Sequence, residues 1–128
     1  MSEPTVDELV ERLGEEMIRE MCAAFYRRVP VDPILSKMYP ADDMDGSEKR
    51  LADFLVIWFG GSREYLETRG HPRLRMRHAP FVIGEIERDQ WLTLMGESMR
   101  EAGIPQEEGV VMATFFAQIA DFMRNSPH

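Results

Sequence analysis

Apolar residues recur every three or four positions along most of the chain, the spacing of helices that bury one face. Val6, Leu9, Val10 and Leu13 open the series. Thr5-Val6-Asp7-Glu8 matches a capping box, in which threonine and glutamate satisfy orphan amides at a helix start. Gly14 interrupts. A second helix is expected from Glu15 to Val29, with Ile18, Cys22, Phe25, Tyr26 and Val29 on one side. Pro30 ends it, because proline lacks the amide donor and clashes with the preceding turn. Asp32-Pro33 reads as an N-cap followed by proline at the first position of a short helix reaching Met38. Pro40 to Gly46 reads as a turn-rich acidic loop. Leu51, Phe54, Leu55 and Trp58 then form an amphipathic stripe, stopped by Gly60-Gly61.

Ser62 to Phe81 breaks the pattern. It carries Pro72 and Pro80, arginines at Arg63 and in the cluster Arg69, Arg73, Arg75 and Arg77, and two of the three histidines. A loop with one or two helical turns is expected there. Regular spacing returns from Gly84 to Ala102, with Trp91, Leu94, Met95, Ser98 and Met99 on one face and Gly103 as a C-terminal cap. Pro105 opens a last helix whose stripe is Met112, Phe115, Phe116, Ile119, Phe122 and Met123. No strand, repeat or low-complexity segment is apparent, so the fold class is all-α.

Composition narrows the function. The 128 residues carry a net charge of −8, with 44% apolar and 30% charged types, a globular balance that suits one domain. An acidic chain is a poor general binder of nucleic-acid phosphates, whose affinity comes from many Lys and Arg contacts. No apolar run approaches the roughly 20 residues of a membrane helix, and no signal peptide is visible. A lone cysteine, Cys22, excludes an internal disulfide and a cysteine-pair metal site, and a reducing cytoplasm is the expected compartment. Phosphate-loop, dinucleotide-turn and H-E-x-x-H motifs are absent.

His78 is the residue of interest. Imidazole is a common metal ligand, but spacing alone favours a half-buried histidine with a satisfied ring. Tyr26, Tyr39 and Trp91 put polar tips on apolar helix faces. They are either core aromatics bonded to backbone carbonyls or donors pointing into a ligand cavity. The arginines from Arg69 to Arg77 are either solvated or paired with carboxylates of a bound ligand.

Taken in order, Phe25-Tyr26, Tyr39-Pro40, Trp58-Phe59-Gly60-Gly61, the run Arg69 to Arg77 ending in His78-Ala79-Pro80-Phe81, and Trp91 resemble the group II truncated haemoglobins. The resemblance covers about Gly14 to Pro127, and the arginine-rich run ending in His78 is its most specific part. It implies a single truncated globin domain over residues 1–128, with 1–13 as an N-terminal extension or first helix, folded as a two-over-two helical sandwich around haem b. By the same resemblance His78 is the iron ligand, and Tyr26 and Trp91 carry the ligand chemistry. Tyr39 matches the aromatic at the start of the following loop, Ser47 the distal gate, and Leu51 the next turn of that helix. Phe54 and Phe81 line the haem, while Arg50, Arg77 and, less strongly, Tyr65 are propionate partners. Two departures stand out. Gly14 replaces the Gly-Gly pair common in the family, with one residue fewer, and Ser47 replaces its usual Ala or Gly.

The resemblance implies a haem protein binding O2, NO, CO or other small ligands. Donors in a dry pocket favour tight O2 binding over easy release, and so O2/NO or peroxide chemistry with an unknown reductase. A binding or sensing globin without turnover is the alternative, and a haem-free helical interaction module a third class. No membrane or nucleic-acid partner is expected, and a homodimer is allowed.

Overall fold

The computed structural model describes residues 4–60 and 83–124. Tyr65, Arg77, His78 and Phe81, and the expected irregular segment Ser62 to Phe81, lie outside the described residues. Among the described residues five α-helices follow one another: α1 (Leu9–Leu13), α2 (Glu15–Arg28), α3 (Met44–Phe59), α4 (Glu85–Ala102) and α5 (Gln106–Phe122). No strand occurs among the described residues. None of these helices is long and apolar enough to cross a membrane.

The local signals act where the sequence puts them. The Thr5 amide donates to Glu8 Oε1 at 3.3 Å, and the Thr5 hydroxyl donates to the same carboxylate at 2.7 Å. The first turn, Val6–Glu8, is a 3-10 turn that runs into α1. Gly14, at φ +87°, turns α1 into α2 with no other residue between them. A side chain there would strain the backbone. Past α2 the chain tightens into a 3-10 turn at Val29–Val31, with Pro30 in its first turn. The Asp32 carboxylate then caps a second 3-10 turn, Leu35–Met38, shorter than the helix expected from Pro33. Gly103 closes α4 at φ +81°.

α2 is the hub. It packs against both α3 and α4, while α5 packs on α4 and α1 on α2. This is the two-over-two sandwich. Ile18, Met21, Cys22, Phe25, Leu55, Phe59, Met95, Met112 and Phe116 are buried almost completely in the shared core. Each such Phe, Leu, Ile or Met contributes about 1.5–3 kcal/mol of transfer free energy. Ser98, on the buried face of α4, satisfies its hydroxyl by donating to the Leu94 carbonyl at 2.7 Å.

Two expectations are corrected. The acidic stretch from Pro40 is not a loop to Gly46: it forms a 3-10 turn at Ala41–Asp43, and α3 begins at Met44. Gly46 serves there by making room, since a Cβ would lie 2.2 Å from Asp43 Oδ1. Phe122 leaves the buried stripe of α5 and is 36% exposed. Met123, four residues beyond Ile119, takes the inward place at the helix end.

Candidate functional site

Three polar-tipped aromatics, distant in sequence, converge where α2, α4 and the Leu35–Met38 turn meet. Tyr26 comes from the last turns of α2 and is buried. Tyr39 immediately follows the 3-10 turn in extended backbone. Trp91 lies on the second turn of α4. The Trp91 indole Nε1–H donates to the Tyr39 hydroxyl at 3.2 Å. The Tyr26 and Tyr39 rings meet edge to face, with centroids 5.4 Å apart. Phe25 braces the group against Tyr26 at 5.1 Å and Trp91 at 5.2 Å, and Phe116 closes on Trp91 at 5.5 Å. Such aromatic pairs add about 0.5–1.5 kcal/mol beyond area burial, so the arrangement is rigid.

The protons of this group can be followed. An indole is a donor only, so Trp91 gives its one proton to Tyr39. The Tyr39 hydroxyl, having accepted, must direct its own proton elsewhere. Burial, and after it the neighbouring Tyr39, push the Tyr26 hydroxyl far above the usual phenol range. Burial raises Tyr39 as well, offset only in part by its bonds to Trp91 and Tyr26. Both phenols therefore keep their protons at every physiological pH and remain donors.

A second aromatic wall adjoins the first. Trp58 sits between Phe54 at 5.4 Å and Phe115 at 5.5 Å, and Phe115 touches Phe116. Sequence reasoning placed Trp58, Phe115 and Phe116 in helical stripes without giving them a site role. Their aromatic character within those stripes was the available signal. Leu51, Trp58, Tyr39 and Trp91 pack on the core while only half-buried, so an apolar group can lie against them.

Ser47 is buried on the first turn of α3, with Leu51 one turn on. The Arg50 guanidinium donates to the Ser47 hydroxyl at 3.3 Å and to Asp43 Oδ2 at 3.0 Å. Arg50 thus spans the start of α3, nearly half exposed, with Asp43 as its ion-pair partner. Cys22 is fully buried, and its thiol is pushed up to about 12, mainly by that burial. A nucleophilic role is excluded for it.

The donor set fits haem. A flat, largely apolar macrocycle matches aromatic walls, and a small neutral ligand matches hydroxyl and indole donors with no carboxylate among them. An all-α sandwich with such a wall has the build of a globin. The profile of the bacterial-like globins matches residues 8–125. The group 2 truncated hemoglobin YjbI of Bacillus subtilis (strain 168) is 35% identical over 109 residues, 85% of this chain and 80% of that protein. The crystal structure of the hemoglobin of the thermophilic phototroph Chloroflexus aurantiacus superposes with a TM-score of 0.79 at 45% identity, covering 97% of this chain and all of the other. The truncated oxygen-avid haemoglobin of Bacillus subtilis superposes at 0.80 with 33% identity, covering 91% of this chain and 98% of the other. The chain belongs to the bacterial-like globins and, within them, to the group II truncated haemoglobins. Its cofactor is haem with iron, and it binds small gaseous ligands there.

Proposed function

We propose that this globin holds O2 tightly and serves O2/NO or peroxide chemistry, with a cellular reductase restoring it, rather than carrying O2 for release. The Trp91–Tyr39 hydrogen bond beside the Tyr26 hydroxyl carries this reading. Haem, when bound, supplies an iron centre that takes a diatomic ligand on its open side. In this reading His78 holds the iron. Phe54, Leu51 and Phe81 line the macrocycle, and Arg50, Arg77 and Tyr65 meet its propionates. Ser47 is the small residue at the distal gate, its hydroxyl occupied by Arg50.

The donors do the rest. Tyr26 offers its proton to the ligand, and Trp91 acts through Tyr39, which accepts the indole proton and passes its own on. Linked hydroxyls polarise one another, which strengthens the terminal donor. A hydrogen bond from a neutral donor contributes about 0.5–1.5 kcal/mol net, and more toward developing charge. Two of them slow release on the order of a hundredfold, since each 1.4 kcal/mol is a factor of ten. The oxygen-avid description of one solved relative supports this direction. The lone, buried Cys22 suits a reducing cytoplasm.

Stopped-flow displacement of O2 by CO tests the proposal. Release should be about a hundredfold slower in the native protein than in a Tyr26→Phe, Trp91→Phe double variant; equal rates would refute it. Nitrate formed in a single turnover with NO, followed by re-reduction, supports turnover. Binding without nitrate makes the protein a binding or sensing globin.

A further inference from the structure

Gln90 and Trp91 are neighbours on α4, and both reach the same segment of chain, Asp32 to Tyr39. At its start Asp32 is only 8% exposed. Asp32 Oδ1 accepts from the amides of Ile34 at 2.9 Å and Leu35 at 2.8 Å. Asp32 Oδ2 accepts from Gln90 Nε2. The Ser36 amide donates to the Asp32 carbonyl at 3.0 Å. Leu35 is fully buried beneath this turn. At the other end the Tyr39 hydroxyl accepts from Trp91. The segment is thus strapped to α4 at both ends, by consecutive residues of one helix.

We propose that Asp32 and Gln90 are positioning residues for the ligand-facing donors: their hydrogen bond sets where the Tyr39 hydroxyl lies against Trp91, and through it how firmly a bound diatomic is held. The mechanism is steric and electrostatic. A buried carboxylate oxygen must keep a donor. Without Gln90, Oδ2 reaches for water, and the turn it caps moves with it. That turn is short and ends directly in Tyr39, so displacement at Asp32 is passed to the hydroxyl. The consequence for ligands rests on the reading of Tyr39, supported by Trp91, as a ligand-facing donor; the strut itself does not.

A charge swap tests it. Gln90→Glu sets two carboxylates face to face. Asp32→Asn, Gln90→Glu restores the bond in reverse, because the new amide donates to the new carboxylate while its oxygen keeps capping Ile34 and Leu35. The holoprotein in its CO form is followed by the exchange rate of the Trp91 indole N–H in NMR spectra, assigned by its loss in Trp91→Phe. O2 dissociation is measured in parallel. Gln90→Glu should speed both by about tenfold, and the double variant should return both to within about twofold of native. Native values of both in a folded Gln90→Glu protein overturn the proposal. So does a double variant that fails to recover, or faster O2 release with unchanged indole exchange. If Gln90→Glu does not fold, Gln90→Met, which removes the donor without adding charge, is judged by the same two readouts. Faster indole exchange with native O2 release supports the strut and refutes the ligand-facing reading of the pair.

Discussion

Trp91 spends its only proton on Tyr39, across 3.2 Å between α4 and the end of the Leu35–Met38 turn. Any influence of the indole on a bound ligand therefore runs partly through the phenol. Tyr39→Phe and Trp91→Phe remove two ends of one bond and should not add. Each single variant is expected to speed O2 dissociation about tenfold, and the double by little more than the larger single. Stopped-flow rates for the four proteins close the cycle. Strict additivity would show that the two side chains act separately.

Asp32 should make stability depend on acid. Burial works to raise its carboxyl, but the Leu35 amide, Gln90 and the Ile34 amide outweigh that and hold it below the usual aspartate range. A folded value below the unfolded one gives stabilisation that is complete above the unfolded value, about 3.9, and is lost as pH falls through the folded value. Urea unfolding of native protein and Asp32→Ala should show a constant gap above about pH 5. That gap should narrow below about pH 4. A gap that widens on acidification would contradict the assignment.

Cys22 should be silent toward thiol reagents. Burial pushes its thiol up to about 12, so little thiolate forms at pH 8, and none of the side chain reaches solvent. Labelling by a chromogenic disulfide should therefore wait for opening of the fold and accelerate with added urea. Rapid labelling of native protein would mean that α2 opens locally.

Two glycines of one helix should respond with opposite sign. Gly103 sits at φ +81° with open space around it, so Gly103→Ala incurs backbone strain alone, about 1 kcal/mol. Gly96 lies inside α4, and an added Cβ would make only an ordinary contact with Arg100. Gly96→Ala should stabilise by about 0.5–1 kcal/mol. Thermal midpoints of the two variants should fall on either side of native.

These cases mark what could be read from residues alone. Gly103 after a periodic run, Asp32 before Pro33 and Thr5 three residues before Glu8 each signal a helix boundary through local chemistry, and the fold uses all three. The aromatic tips of Tyr26, Tyr39 and Trp91 were visible as polar atoms on apolar faces. Which donates to which was not, because the crossing of α2 over α4 decides it. Gln90 and Glu108 escaped notice for a simpler reason. A polar residue on a helix reads as solvated until a partner distant in sequence covers it. Asp43 and Gly46 looked like loop formers, yet α3 starts at Met44 with Asp43 at its N-cap and Gly46 making room for the Asp43 side chain.

Glu108 has a consequence of its own. Its side chain is 9% exposed and takes the Arg12 guanidinium at 2.7 Å, joining α1 to α5 across 96 positions. On the ribosome the opening helix thus emerges long before its acidic clasp has been translated. Until α5 arrives, the α1 arginine lacks this carboxylate, and the junction of α1 with α5 is fastened late in synthesis.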